Sequence, residues 1–268
     1  MTNRIDRLFQ TCKSQNRAAL VLYLTAGFPT PAFTLPLLKV LQENGCDLVE
    51  LGIPFSDPIA DGPTIQRAST IALEQGMTFQ KALDQLTEFR KTSELPVIFF
   101  GAVNPFLRRG LEKSAQDAAL AGADGFLAAD LPTEESDEFR SLCTAHQLHL
   151  IPLLAPTTSN QRISEISQKA SGFLYTMSLK GITGARTELQ DDLSPYLQRI
   201  KAHSTLPIAL GFGISTPEQI HQLSPQCDAI VVGSKLITTI EEEISAGPGW
   251  EQRVGRFVRS LADACARS

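Results

Sequence analysis

A carboxylate stands inside an apolar segment, residues 48–52, where Glu50 is flanked by Val49 and Leu51. A buried charge is costly unless it is paired or neutralised, so Glu50 is either a structural ion pair, a rim residue or a functional group. Asp57 and Asp61 follow in a proline-rich loop, where turn formation is their alternative role. Three carboxylates at the end of one buried segment predict general acid–base chemistry.

Glycine-rich turns form a second group of residues that could take part in binding. Gly211 and Gly213 bracket one turn, Gly233 and Ser234 form another, and a third spans residues 181–184. Bare backbone N–H groups can converge on an anion, and a helix beginning at Ser234 adds its positive N-terminal dipole. We therefore predict a phosphate site at the same end of the molecule as the carboxylates, across the active-site opening from them.

Eight short apolar segments can position these residues, and helical periodicity fills the chain between them. Continuous apolar segments bounded by Gly and Pro are typical of parallel strands buried on both faces. The segments are residues 19–24, 48–52, 97–101, 125–129, 150–154, 173–177, 208–212 and 229–233. The pattern predicts an α/β protein with a (β/α)₈ TIM-barrel fold, whose active site lies where the strands end.

Amphipathic segments flank the repeat and predict an extra helix at each end, packed on the barrel. Because no linker divides the chain, residues 1–268 are interpreted as a single barrel domain. An open doubly wound sheet is the alternative, which the lack of a G-x-G-x-x-G turn after the first strand disfavours.

Composition limits the functional classes. A net charge of −5 without a long Lys/Arg run argues against a nucleic-acid partner. The five cysteines lack C-x-x-C spacing, which indicates reduced thiols in the cytoplasm. The apolar segments are too short to cross a membrane, and no leader peptide is recognisable. Neither a metal nor an organic cofactor is expected.

Three motifs resemble the tryptophan synthase α subunit family: residues 50–66, 178–185 and 211–215. The similarity runs collinearly over essentially the whole chain. It implies a lyase that cleaves indole-3-glycerol phosphate to indole and glyceraldehyde 3-phosphate by a retro-aldol reaction. A stand-alone lyase, and another phosphate-binding aldolase using Lys180 as a Schiff base, are the enzymatic alternatives. A weak subunit that mainly activates a partner is the third.

The resemblance also implies residue roles. Glu50 would be the acid–base residue and Asp61 the carboxylate facing the indole N–H. The phosphate would bind Gly184, Gly213, Gly233 and Ser234. The pocket or its lid would comprise Leu127, Ala129, Tyr175, Thr183 and Phe212. One departure is Ala102, where the family usually has an aromatic residue, and we expect Phe100 and Tyr23 to fill that space.

The family's partner is a pyridoxal-phosphate β subunit in an αββα heterotetramer. The positions that match its contact surface are Asp57, Pro58, Asn104, Pro105 and Pro132. All follow predicted strands, so they are expected around the barrel mouth. Stiffening of loops by proline is the alternative interpretation.

Overall fold

The computed structural model describes residues 3–177, 193–211 and 213–267. Nine strands within these ranges form one sheet in which every pairing is parallel. The strands are β1 (Ala19–Thr25), β2 (Leu48–Gly52), β3 (Val97–Gly101), β4 (Gly125–Ala128), β5 (His149–Leu150), β6 (Leu153–Leu154), β7 (Leu174–Met177), β8 (Ile208–Gly211) and β9 (Ala229–Val232). Their spatial order is β5-β4-β3-β2-β1-β9-β8-β7-β6, so the first strand lies beside the last.

The ring closes through one short segment. β5 pairs with β4 and β6 pairs with β7, so both ends of the sheet bond to the same six residues. Between the two halves, the Ile151 N–H donates to the Phe126 carbonyl (2.8 Å), and the Pro152 carbonyl accepts from the Tyr175 N–H (3.0 Å). The predicted eight-stranded barrel is therefore confirmed, with its fifth strand in two pieces because proline has no N–H to continue the ladder.

Twelve α-helices surround the sheet in the described ranges. They are α1 (Arg4–Ser14), α2 (Pro31–Glu43), α3 (Pro63–Glu74), α4 (Phe79–Arg90), α5 (Asn104–Arg109), α6 (Leu111–Leu120), α7 (Asp137–Ala145), α8 (Asn160–Lys169), α9 (Ser194–His203), α10 (Pro217–Leu223), α11 (Ser234–Ser245) and α12 (Trp250–Asp263). Proline stands in the first turn of α2, α3, α5, α9 and α10, where its missing N–H costs no intrahelical bond. None of these helices is long and apolar enough to cross a bilayer.

The long interval between the second and third predicted strands holds two helices, α3 and α4. The loop that carries Asp57 and Asp61 is therefore confined to residues 53–62. It enters α3 directly through Gly62 and Pro63. This short connection fixes Asp61 two residues before a helix that packs on β1.

The two added helices pack as predicted. Helix α1 buries Ile5, Phe9 and Cys12, and the Phe9 ring lies 5.6 Å from that of Phe173. Helix α12 packs on α2 and α11. Below the strands, the buried Asp124 carboxylate accepts from Arg90 (3.0 Å) and from the Val97 N–H (2.9 Å). This network stabilises the end of the barrel opposite the catalytic end.

Candidate active site

Glu50 lies at the centre of the barrel wall. It occupies the middle of β2, in register with Tyr23 of β1 and Ile98 of β3, and it is 1% exposed. Its Oε1 atom has no hydrogen-bond partner among the described residues. Burial raises the pKa of Glu50 to about 8. The carboxyl is therefore protonated at neutral pH and can donate a proton.

Asp61 is half-buried in the loop after β2. Its N–H donates to the Pro58 carbonyl (3.0 Å), and its own carbonyl accepts from the Gln66 side chain (2.8 Å), so it does form the predicted turn. Burial raises the pKa of Asp61 to about 6. Its side chain thus remains mostly ionised at neutral pH, where Glu50 is neutral.

Two tyrosines lie against glycines on neighbouring strands. A Cβ built on Gly52 would be 2.2 Å from the Tyr23 hydroxyl, and one built on Gly211 would be 2.4 Å from the Tyr175 hydroxyl. Tyr23 is in register with Glu50, and Gly52 lies two residues further along β2. Likewise, Tyr175 is in register with Ala209, and Gly211 lies two residues further along β8. The missing side chains therefore let both rings lean toward the strand ends, which carries their hydroxyls to the catalytic end of the barrel.

Aromatic rings cross the barrel interior at this level. The Phe100 ring lies edge-on to Tyr23 at 5.4 Å and 6.4 Å from Tyr175. Since β3 is adjacent to neither β1 nor β7, these contacts run through the interior rather than along the sheet. Leu127 is buried in register with Phe100, and Ala129 follows one residue past the end of β4.

A groove opens beside this wall, between the loops that follow β2, β3 and β4. It is lined by Asp61, Phe100, Ala102, Ala129 and Asp130, among others. Ala102 therefore faces the same space as Asp61. Phe100 itself lines this groove, and the Tyr23 ring packs edge-on against it.

The glycine turns lie at the ends of β8 and β9, which are neighbours in the sheet. Gly213 has φ +82° and open space around its Cβ position. Gly233 precedes the exposed Ser234, the first residue of α11, whose first turn holds no acidic residue. A Cβ on Gly233 would be 3.4 Å from the Cβ of Tyr23. The third turn with Thr183 and Gly184, and also Lys180 and Phe212, lie outside the described residues.

The residues matched to a partner surface lie on loops at the catalytic end. Asp57, Asn104 and Pro132 are exposed, whereas Pro58 and Pro105 are half-buried. Two large apolar side chains share this end: Ile59, 70% exposed, and Leu107, 50% exposed.

Sequence reasoning assigned no role to several residues that line or brace the site. Leu153 pairs in register with Tyr175 and so shares its inner face. Asp130 accepts a hydrogen bond from the Val103 N–H (2.7 Å) and thereby joins two mouth loops. Period-two alternation within the predicted fifth strand could have indicated Leu153, but the contact of Gly52 with Tyr23 has no local sequence signal.

The described part of the site holds two carboxyl groups and glycine turns whose backbone N–H groups could face an anion. In the part of the chain that the structure describes, no three His, Cys, Asp or Glu side chains are grouped to hold a metal ion. The arrangement can protonate a substrate from Glu50, stabilise positive charge at Asp61 and bind an anion at Gly233 and Ser234.

Comparisons with known proteins agree on one family. The profile of the tryptophan synthase alpha chain family matches residues 9–266. The tryptophan synthase alpha chain of Chloroflexus aurantiacus is 44% identical over 99% of both chains, and that of Solibacter usitatus is 43% identical over 96% of both. The crystal structure of tryptophan synthase subunit alpha from Legionella pneumophila superposes with a TM-score of 0.92 at 39% identity, covering 99% of each chain. The chain therefore belongs to the tryptophan synthase alpha chain family, the lyases that release indole from indole-3-glycerol phosphate.

Proposed function

We propose that Glu50 and Asp61 carry out the family's reaction in this chain, the cleavage of indole-3-glycerol phosphate to indole and glyceraldehyde 3-phosphate. The observation that supports these roles is a pair of carboxyl groups whose burial separates their pKa values, to about 8 for Glu50 and about 6 for Asp61. At neutral pH one is an acid and the other an anion. Such a separation is how one site provides both roles.

The first step requires a proton donor and a stabilising charge. An aromatic carbon is a poor leaving group, so C3 of the indole ring must first be protonated, and neutral Glu50 supplies this proton. The ring nitrogen then becomes positively charged. Ionised Asp61 stabilises that charge in a partly desolvated site, where electrostatic interactions are stronger than in water.

The second step uses the same carboxyl group as a base. Glu50, now ionised, accepts the proton of the hydroxyl on the carbon next to C3. That carbon becomes the aldehyde of glyceraldehyde 3-phosphate, and the bond between it and C3 breaks. The bonding electrons return to the ring, so indole leaves neutral and Glu50 ends protonated, ready for the next turnover.

The phosphate group binds at the opposite side of the mouth. Gly213 and Gly233 expose backbone N–H groups, and Ser234 begins α11, whose N-terminal dipole favours an anion. Gly184 and Thr183 are assigned to the same end from sequence. Tyr23, Phe100, Leu127, Ala129 and Tyr175 form the inner wall along which the indole ring lies, and Phe212 is assigned to it from sequence.

The partner is a tryptophan synthase β subunit, in an αββα heterotetramer in the cytoplasm. The supporting observation is the mouth surface of Asp57, Pro58, Asn104, Pro105 and Pro132. Together with exposed Ile59, it surrounds the opening through which an apolar product leaves. Isolated exposed apolar residues are ordinary, but their position at this opening suits a covered face.

The decisive experiment measures indole release by Glu50→Gln and Asp61→Asn. We expect turnover to fall about 10² to 10⁴-fold for Glu50→Gln and about 10²-fold or more for Asp61→Asn. Asp84→Asn, an exposed carboxylate on α4, is the charge control and should retain full turnover. Near-wild-type rates for both site variants would remove these carboxylates from the reaction.

A further inference from the structure

The hydroxyl of Tyr23 is a buried donor that the reaction steps above do not use. The Thr25 hydroxyl donates to it at 3.4 Å, so Tyr23 is the acceptor in this bond. Hydroxyl pairs usually lie about 2.7–2.8 Å apart, so the bond is also long. Because a buried polar group is costly to leave poorly bonded, the O–H of Tyr23 needs an acceptor of its own in the working site.

The position of the ring limits what that acceptor can be. The Tyr23 ring extends from beside Gly233, at the phosphate side, to Gly52, at the end of β2. Ile65, in the first turn of α3, lies 3.7 Å from the Cβ position of Gly233 and so borders the same space. Asp61 lies two residues before that helix and lines a groove with Phe100, whose ring is edge-on to Tyr23.

Charges around the hydroxyl keep it protonated. Burial raises the pKa of Tyr23, and the carboxylates of Asp61 and Glu50 raise it further. Burial and the same two carboxylates also raise the pKa of Tyr175, across the interior. Asp130 is the other acidic residue that lines the groove beside Asp61. Tyr23 is therefore a neutral donor, and Asp61 is an ionised acceptor in the groove bordered by Phe100, the ring that packs against Tyr23.

We propose that the Tyr23 hydroxyl is a positioning group that donates a hydrogen bond to the Asp61 carboxylate, holding it ionised and turned toward the ring nitrogen of the substrate. One oxygen of Asp61 then accepts from Tyr23, and the other remains for the indole N–H. Donation to a carboxylate favours its charged form. This inference rests on the proposed role of Asp61.

The test is Tyr23→Phe, which keeps the ring and its edge-on contact with Phe100 and removes only the hydroxyl. We expect kcat to fall about ten- to a hundredfold, the effect of a hydrogen bond to a charged group, with a smaller change in KM. Because the variant loses a donor to Asp61, the acid limb of the kcat profile should move to higher pH by roughly one unit. The kcat profile reports groups in the bound complex, where the dipole of α11 holds the phosphate ionised, so its acid limb reports Asp61.

Tyr196→Phe is the matched control, since Tyr196 is also buried but its hydroxyl donates to the Leu154 carbonyl (3.2 Å). It should lower stability without moving the acid limb. An acid limb that stays in place in Tyr23→Phe overturns the inference, whatever the rate. Asp61→Asn separates the two ideas: if that variant is impaired and Tyr23→Phe is normal, only the role of Tyr23 fails.

Discussion

At the scale of single residues, the site depends on one carboxyl that is kept neutral and one that is kept charged. Glu50 sits within the strand ladder and is almost fully buried, whereas Asp61 sits on a loop and retains some solvent. Desolvation penalises the ionised form of both, but more strongly for Glu50. The difference in burial therefore decides that Glu50 is the proton donor and Asp61 the ionised carboxylate.

This difference predicts a bell-shaped dependence of kcat/KM on pH. Activity should rise as Asp61 ionises near its pKa of about 6 and fall as Glu50 loses its proton near its pKa of about 8. Initial rates of indole release across the pH range measure both limbs. The substrate phosphate also titrates near pH 6, so the alkaline limb is diagnostic, and a flat profile up to pH 9 would contradict the role of Glu50.

Glu50 should also make the fold less stable as pH rises. Its folded pKa of about 8 exceeds its ordinary value of 4.5, so between these values the unfolded chain has released a proton that the folded chain retains. Stability is thus fully retained below the lower value and declines toward the higher one. Relative to the wild type, Glu50→Gln should gain about 1.4 kcal/mol of unfolding free energy per pH unit within this window.

Denaturant unfolding from pH 4 to 9 measures this gain. Asp61→Asn provides the comparison, because its own gain should end near pH 6, the folded pKa of Asp61. A constant difference between Glu50→Gln and the wild type at every pH would show that Glu50 is not protonated in the folded chain.

At this scale the sequence predicted the polar residues of the site better than the contacts between glycines and tyrosines that shape it. Glu50 was conspicuous because a carboxylate interrupts an apolar strand. Gly52 was not, because it ends a strand as many glycines do, and Gly211 was noted only as part of a glycine-rich turn. Their contacts with Tyr23 and Tyr175 arise from register and ring tilt between neighbouring strands, which are properties of the folded barrel.

At the scale of elements, the phosphate end is made of two strand-to-helix turns. Gly213 and Gly247 offer a matched pair for testing it. Both have positive φ, +82° and +91°, and both have open space at the Cβ position. A side chain strains either backbone similarly, but only Gly213 lies beside the site.

We therefore expect Gly213→Ala and Gly247→Ala to lose similar stability, about 1 kcal/mol each. Only Gly213→Ala should raise KM for the phosphorylated substrate, because its turn would present the phosphate with a displaced N–H. Thermal unfolding and steady-state kinetics on both variants supply the comparison. Equal KM values would place the phosphate elsewhere.

Element boundaries were predicted well where glycine or proline ends a strand, as for β2 and β3. The fifth strand was predicted as one apolar segment, since hydrophobicity alone does not report which neighbour each half bonds to. The long second interval likewise concealed helices α3 and α4. Apolar periodicity indicates that elements exist, whereas their exact pairing depends on tertiary packing.

At the scale of the whole molecule, the barrel has one working end and one structural end. Exposed apolar residues occur at both, which permits a controlled test of the partner surface. Ile59 lies on the mouth loop after β2, whereas Leu120, 77% exposed, ends α6 before β4 begins, at the opposite end.

Ile59→Asp should weaken binding of a β subunit by about tenfold or more, because a charge would be buried in the interface. Leu120→Asp adds the same charge far from the mouth and should leave affinity unchanged. Sedimentation or calorimetric titration with a β subunit measures both. If neither variant changed the affinity, the β subunit would bind elsewhere, and if the wild type bound no β subunit and were fast alone, it would be a stand-alone lyase.

The split fifth strand has a consequence for how the barrel opens. β5 and β6 are only two residues long each, whereas every other described strand has at least four. Because these two strands are the shortest, the hydrogen bonds at their junction should break in local fluctuations that leave the rest of the barrel folded. Amide hydrogens of residues 149–151, 153 and 154 should exchange with deuterium faster than those of β1. Chain termini relocated to this junction by circular permutation should accordingly be tolerated better than termini placed within β1.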